Sequence, residues 1–172
     1  MADKYIQLIM HKKALDVLPD LVIPEGFLLR DFKIGDENAW DAIVGDMCGE
    51  GFVKAIKNHR FFAPERVKMI CRDEKPVATA TAWNDENGDE SLGMVHMVAT
   101  DPDFRGRGLG YAVTNAVLHH MKKEGKSAAY LTTDDFRIPA IKIYLKLGFE
   151  PDESLEGYVE RWKKIRIILN SY

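Results

Sequence analysis

Residues 105–110 combine glycine and arginine in a pattern suited to holding phosphate. The six residues are Arg105, Gly106, Arg107, Gly108, Leu109 and Gly110. Glycines let a backbone turn tightly and bring its N–H groups close to a ligand. A strand-like run precedes this stretch and a helical pattern follows it, so the N–H donors of a helix N-terminus add to the charge of the two arginines. The stretch therefore predicts a phosphate or pyrophosphate site.

The spacing of these residues differs from that of two common phosphate-binding loops. A P-loop ends in Gly-Lys-Ser/Thr, and no Lys-Ser/Thr pair follows here. The dinucleotide fingerprint is Gly-x-Gly-x-x-Gly, whereas this chain has Gly-x-Gly-x-Gly. The pattern that remains is Arg-x-x-Gly-x-Gly, formed by Arg105, Gly108 and Gly110.

A second motif downstream suggests what the phosphate belongs to. Residues 140–149 read Ala-Ile-Lys-Ile-Tyr-Leu-Lys-Leu-Gly-Phe. The two motifs resemble the coenzyme A pyrophosphate loop and the Ala-x-x-x-Tyr-x-x-x-Gly-Phe helix of the GNAT N-acetyltransferase superfamily, and the resemblance runs from about Arg66 to Phe149. It implies acetyl-CoA as cosubstrate and an α/β fold, with a mixed central sheet flanked by helices and two central parallel strands that splay apart.

The resemblance also assigns residues to the reaction. The backbone of Val98, Ala99 and Thr100 would pair with the pantetheine arm, and an N–H group near Val98 would polarise the thioester carbonyl. Tyr144 matches the tyrosine that lies near the cofactor sulfur, where a phenol can protonate the departing thiolate. Many members carry an asparagine seven residues before this tyrosine. The present chain has Arg137 there, which alters that contact.

The base that takes the amine proton is not defined by either motif. His96 lies in the strand-like run 92–99, and simple alternation places it on one face with Met94 and Val98. A histidine titrates near neutrality and could take the proton, or it could be a buried histidine with a structural role. Three carboxylates are further candidates for base or amine recognition: Glu50, Asp134 and Asp135.

The surrounding pattern predicts the elements that position these residues. A helix from Leu109 to Gly125 joins the strand 92–99 to a strand at 128–133, a βαβ unit that favours parallel pairing. Upstream, alternating residues predict strands at 27–30, 67–71 and 77–83, with helical patterns at 36–47 and 52–59. Four aromatic residues of this upstream region are candidates for the acceptor wall or for plain core: Trp40, Phe52, Phe61 and Phe62.

The sequence pattern leaves the secondary structure of both ends of the chain open. Residues 1–25 are interpreted as an N-terminal arm or an extra strand, and residues 155–172 as a helix or a strand. The whole of 1–172 is interpreted as one domain, since a chain of this length buries a sufficient core on its own.

Composition and net charge limit the classes of partner and the compartment that are expected for the chain. The net charge of −3 gives no reason to expect nucleic-acid binding. Cys48 and Cys71 form no metal-type pair, and no metal site is predicted. The chain has neither a signal-peptide pattern nor an apolar run that could span a membrane, so a cytoplasmic enzyme is expected. The sequence does not define the oligomeric state, and a homodimer is suggested only by analogy with the family.

These observations predict an acyltransferase that moves an acetyl group from acetyl-CoA to a primary amine by direct transfer in a ternary complex. The acceptor is a small-molecule or peptide amine. Two other functions fit the same loop. One is a catalytically silent CoA-binding or regulatory module of the same fold. The other is an enzyme that binds ATP or NAD instead.

Overall fold

A seven-stranded mixed sheet with helices on both faces organises the chain. The computed structural model describes residues 6–171, apart from the side chain of residue 46. The strands are β1 (Leu8–Lys12), β2 (Leu28–Asp31), β3 (Val67–Arg72), β4 (Lys75–Asn84), β5 (Leu92–Thr100), β6 (Ala128–Thr133) and β7 (Glu150–Pro151). The α-helices are α1 (Glu37–Val44), α2 (Leu109–Lys123), α3 (Ile138–Lys146) and α4 (Tyr158–Asn170). Shorter turns of 3₁₀ or π-helix lie at Gly45–Met47, Val53–Lys57, Pro64–Arg66 and Pro102–Phe104.

The strand order is β2-β3-β4-β5-β6-β1-β7. The pair β5–β6 is parallel and the other neighbours are antiparallel. Helix α2 connects the two parallel strands, as the βαβ pattern predicted. The predicted α/β class with a mixed sheet is confirmed.

Both uncertain ends are ordered elements. Strand β1 lies between β6 and β7, with Leu8 opposite Thr133 and Met10 opposite Pro151. The N-terminal segment is therefore an extra strand over Leu8–Lys12, whereas residues 1–5 lie outside the described residues. The C-terminal segment is helix α4, which buries Trp162 and Ile165 against the sheet.

Each face of the sheet carries its own apolar cluster. On one face the small residues of β4 let helix α2 approach closely, and Ala78, Ala80 and Ala82 pack with Val113 and Val117. On the other face α1 and the turn Val53–Lys57 pack aromatic residues against β3 and β4. The two clusters fix the sheet between helices, so its central strands have a defined geometry at the site.

The upstream helical region differs from the sequence prediction. Helix α1 ends at Val44 instead of running to residue 47, because Gly45 takes a positive φ of 55° that an α-helix does not allow. The predicted second helix over 52–59 is a short π-type turn at Val53–Lys57. Met47 consequently lies at the end of the 3₁₀ turn Gly45–Met47 rather than on the buried face of an α-helix.

Candidate active site

The parallel strands β5 and β6 separate to form a cleft. Their pairing covers Leu92 opposite Ala128 through Met94 opposite Tyr130, and no further pair follows. Strand β5 lines the opening with Met94, Val95, His96, Met97 and Val98. Other elements contribute Gln7, Met47, Thr132, Thr133, Arg137 and Tyr144. The cleft encloses about 190 Å³, and backbone groups that a sheet would normally pair are left available along its wall.

A β-bulge in β5 changes which way its side chains face. Thr79 lies opposite Ala99 and Thr81 opposite His96, so Ala80 faces the two residues Met97 and Val98. Met97 adopts a φ of 50°, which is unusual for a residue other than glycine. The bulge shifts the alternation by one residue and so re-aims the side chains that follow it.

This shift corrects one expectation about His96. Simple alternation would place His96 and Val98 on one face. Instead, the His96 ring lies against Trp83 in the α1-side cluster, with ring centroids 5.5 Å apart. Val98 packs against the α2-side cluster. Both residues still line the cleft, because the strand separation opens it to both sides of the sheet.

The segment 105–110, here called the glycine loop, follows directly after β5. The Asp101 carboxylate accepts a hydrogen bond from Asp103 N at 3.0 Å and starts the turn Pro102–Phe104. Arg105 Nε donates to the carbonyl oxygen of Thr100 at 3.3 Å, so the loop is tied to the end of the strand. The guanidinium of Arg107 lies over the Phe104 ring at 5.5 Å.

The backbone of the glycine loop fits a pyrophosphate group. Gly106 and Gly108 have φ values of 77° and 79°, a conformation that an L side chain rarely adopts. Gly108 is the N-cap of α2, so the first N–H groups of that helix face outward without helical partners. A Cβ added to Gly106 would meet no atom within 4 Å, so the space in front of this backbone is open. The geometry of this backbone could hold a pyrophosphate group.

Gly110 has a different role, because it packs against helix α3. A Cβ at this position would lie 3.0 Å from Ile143 Cδ1 and 3.8 Å from Thr100 Oγ1. The missing side chain therefore lets the N-terminus of α2 come close to both α3 and the end of β5. This contact links the glycine loop to the helix that carries Tyr144.

Tyr144 presents its hydroxyl to the cleft from helix α3. The residue is 7% exposed, and its ring packs edge-on against Phe149 with centroids 6.0 Å apart. No hydrogen bond to this hydroxyl is formed by the residues that the structure describes. Burial raises the pKa of Tyr144 to about 12, and Arg137 acts in the opposite direction. The phenol therefore keeps its proton at neutral pH and can donate it.

The pKa of His96 is shifted in the opposite direction from that of Tyr144. Burial lowers the pKa of its imidazole below the ordinary value, with a smaller opposing effect from Glu86. The ring is therefore neutral at pH 7 and has a nitrogen able to accept a proton. Among the described residues, His96 forms ring contacts but no hydrogen bond.

Arg137 is held at the edge of the cleft by a short polar network. Its Nε donates to Asp134 Oδ2 at 2.7 Å, and the other oxygen of Asp134 accepts a hydrogen bond from Gln7 Nε2 at 3.0 Å. The side chain of Arg137 is 33% exposed, and its Nη1 contacts the sulfur of Met47. Asp134 therefore orients the guanidinium, and both of its carboxylate oxygens already accept a hydrogen bond.

The remaining predicted site residues lie away from the cleft. Trp40 and Phe52 are fully buried in the α1-side cluster and are core residues. Phe61 and Phe62 are partly buried against the same cluster. The other two carboxylates form ion pairs: Glu50 with Lys54 of the turn Val53–Lys57 at 2.6 Å, and Asp135 with Arg161 of α4 at 3.0 Å.

Several cleft residues were not found by sequence reasoning. Gln7 comes from the segment before β1, and Met47 from the 3₁₀ turn that follows α1. Thr133 is 3% exposed, and its hydroxyl has no hydrogen-bond partner. No sequence motif connects these distant positions. The one local signal is the polar pair Thr132 and Thr133 at the end of the predicted strand.

Within the described residues, no group of three or more histidine, cysteine, aspartate or glutamate side chains is arranged to hold a metal ion. No helix in that part of the chain has the length and apolar character needed to cross a membrane.

The structure thus combines separated parallel strands, a glycine loop that follows β5, and a buried tyrosine that lines the cleft. The model of the acetyltransferase (GNAT) family matches residues 37–149, which is more than half of the chain. The chain belongs to the GNAT acetyltransferase family, and the family predicted from the two motifs is confirmed. The GNAT family uses acetyl-CoA.

Individual similar proteins and solved structures are consistent with membership of this family. A mycothiol acetyltransferase of Thermomonospora curvata is 31% identical over 142 residues, which cover 77% of this chain and 47% of that protein. The chain spans about half the length of the curated relatives it matches. A GCN5-related N-acetyltransferase from Kribbella flavida has a TM-score of 0.61 at 25% identity, covering 84% of this chain and 54% of the other. A protein of Mycobacterium tuberculosis solved in complex with CoA has a TM-score of 0.58 at 16% identity, covering 81% of each chain.

Proposed function

We propose that this protein is an N-acetyltransferase that moves an acetyl group from acetyl-CoA to a primary amine by direct transfer in a ternary complex. The observation that carries the proposal is the cleft between β5 and β6. The glycine loop lies just beyond the end of its β5 wall, and Tyr144 and His96 line it. Family membership and the acetyltransferase relatives support the same reaction class.

Acetyl-CoA supplies a thioester, whose carbon–sulfur bond breaks as the amine nitrogen bonds to the acetyl carbon. The glycine loop holds the pyrophosphate with backbone N–H groups and the two arginines. The backbone of Val98, Ala99 and Thr100, which has no partner strand on the cleft side, holds the pantetheine arm. A backbone N–H near Val98 donates to the thioester oxygen and stabilises the charge that develops there.

Two side chains move the protons. The neutral imidazole of His96 accepts a proton from the amine, directly or through water. The Tyr144 hydroxyl donates its proton to the leaving sulfur. The buried environment supports both roles, because it disfavours imidazolium at His96 and phenolate at Tyr144. Neither Cys48 nor Cys71 lines the cleft, which fits direct transfer rather than a covalent enzyme intermediate.

The test begins with calorimetric titration of the protein with acetyl-CoA, CoA, ATP and NAD under identical conditions. The proposal predicts binding of the two CoA species in preference to ATP and NAD, and thiol release when an accepted amine is added. Tight binding of ATP or NAD without binding of CoA would contradict the assignment of the glycine loop. The acceptor identity and a homodimeric state stay predictions.

A catalytically silent CoA-binding module is the second candidate. Arg137 in place of the usual asparagine favours it, since this residue changes the cleft wall. The retained hydroxyl of Tyr144 and the neutral ring of His96 favour the enzyme, because a silent module needs neither. Binding of CoA without thiol release on any amine would decide for the module.

A further inference from the structure

The charged side chains of the cleft limit which amines can bind there as the acceptor. Among the cleft side chains that the structure describes, Arg137 is the only one with a full charge. The nearby carboxylate of Asp134 is 8% exposed, and both of its oxygens already accept hydrogen bonds, from Arg137 and from Gln7. A polycationic acceptor would therefore find a fixed positive charge in this cleft and no carboxylate among the described residues that line it.

Arg137 still has donors to offer. The bond to Asp134 uses Nε and orients the guanidinium, and the contact of Nη1 is to the thioether of Met47, a weak acceptor. No described hydrogen bond uses Nη2. A carboxylate can accept two parallel N–H bonds from a guanidinium and would readily displace a thioether.

A second polar group in the cleft is also without a partner. Thr133 lines the same cleft, and its buried hydroxyl has no hydrogen-bond partner in the described structure. Buried hydroxyls are normally hydrogen-bonded, so an unpartnered one in a ligand cleft points to an acceptor supplied by the ligand. Thr133 and Arg137 flank Asp134, at the carboxyl end of β6.

The rest of the cleft is apolar and adaptable. Met47, Met94 and Met97 line it, and unbranched thioether side chains adjust their shape to varied apolar groups. An acceptor that fits both features carries an anionic group at one end and an apolar body beside its amine.

From this arrangement we infer that the acceptor is a free amino acid with an apolar side chain, whose carboxylate binds Arg137 and the Thr133 hydroxyl while its α-amine faces the thioester. The inference rests on the proposed acetyltransferase function and adds the substrate class. The reaction balance is unchanged. The amine nitrogen gains the acetyl group and loses one proton, and the CoA sulfur gains one.

The experiment compares matched acceptors by thiol release at saturating acetyl-CoA. The acceptors are methionine, leucine and phenylalanine, their amides, 2-phenylethylamine and spermidine. The amides and 2-phenylethylamine keep the apolar body but lack the carboxylate. We expect kcat/KM for the amino acids to exceed that for their amides by about tenfold or more. Preference for the amides, for 2-phenylethylamine or for spermidine would overturn the inference while leaving acetyl transfer intact.

Variants of Arg137 test whether this residue causes the preference for acceptors that carry a carboxylate. Arg137→Gln should raise KM for the amino acid and abolish its advantage over the amide, and Arg137→Lys should restore part of it. Arg166→Gln is the matched control, because it removes one exposed positive charge on α4 away from the cleft. An increase in KM for acetyl-CoA alone would assign Arg137 to the cosubstrate and overturn the inference.

A binding measurement covers the case in which no amine is turned over. Calorimetric titration of the CoA complex with N-acetylmethionine and with its amide tests the carboxylate directly. Tighter binding of the acid supports the inference, and equal binding or no binding of either compound overturns it. Failure of the protein to bind CoA at all would instead contradict the proposed function.

Discussion

The glycine loop and the cleft present different kinds of atoms to a ligand. The loop is one continuous stretch whose positive φ angles at Gly106 and Gly108 present backbone N–H groups. The cleft is assembled from side chains of separate elements, among them Gln7, Met47 and Tyr144. In the proposed function, backbone N–H groups bind the pyrophosphate common to all CoA esters, whereas cleft side chains select the acceptor. Substitutions in the loop should therefore change affinity for acetyl-CoA, and substitutions in the cleft should change turnover or acceptor choice.

The largest expected effect follows from Gly108→Glu. The side chain would strain a φ of 79° and place a carboxylate where the pyrophosphate binds. We expect acetyl-CoA affinity to fall by about a hundredfold or more, measured by calorimetry. Gly157→Glu is a matched control, because Gly157 is also a helix N-cap with a φ of 79° and lies outside the loop. Equal losses in the two variants would show that folding, rather than phosphate binding, was affected.

Tyr144→Phe removes the proposed proton donor with little change of shape. Turnover should fall by roughly a hundredfold, while the dissociation constant of acetyl-CoA stays nearly constant. Because the pKa of Tyr144 is raised to about 12, the wild-type rate should show no decline from this residue between pH 6 and about pH 10. Tyr130→Phe is the control, since burial also raises the pKa of Tyr130 to about 12 but this residue does not line the cleft. Unchanged turnover in Tyr144→Phe would remove it as the acid.

His96→Gln tests the base through the pH profile. The base acts in its neutral form, so kcat/KM should rise with pH through the His96 pKa, which burial places below its ordinary value of about 6.5. The variant should lose this acidic limb and about tenfold or more in rate at neutral pH. His119→Gln is the control, because His119 lies on α2 and contacts the carbonyl oxygen of Pro19 at 2.9 Å. An acidic limb that persists in His96→Gln would make this histidine structural.

The smallest effect is expected at the contact between the two regions. Gly110→Ala would place a Cβ 3.0 Å from Ile143 Cδ1 and push α2 slightly away from α3. Acetyl-CoA affinity should fall about threefold, and Ile143→Val should recover it in the double variant because it removes the crowded methyl group. Losses that simply add in the double variant would argue against this contact as the cause.

The two regions also differ in what the sequence could predict. The glycine loop and the Tyr144 motif are contiguous, and their glycines mark backbone conformations that few other residues adopt. The strand separation and the sheet class follow from the same family resemblance. The bulge at Met97 and Val98 has no comparable signal, because an extra residue in one strand changes the alternation without requiring a glycine.

The cleft residues were harder to predict from the sequence, for a physical reason. Gln7 and Asp134 meet only because β1 is inserted beside β6, and Met47 reaches the cleft only because Gly45 ends α1 early. Such contacts depend on sheet order and on helix ends, which local patterns define poorly. The same patterns placed Trp40 and Phe52 correctly as candidates for core, since aromatic residues at helical spacing are most often buried.

The position of β1 also affects how the chain is made. Leu8–Lys12 leave the ribosome well before β6 and β7, yet they pair with both strands and bring Gln7 to Asp134. Until those partners emerge, β1 has no neighbour, and the outer edge of β6 stays open until β1 docks. An open strand edge is a template for pairing with other chains. Cleavage of the chain just after Lys12 would therefore favour aggregation, even though the glycine loop and Tyr144 remain in the longer fragment.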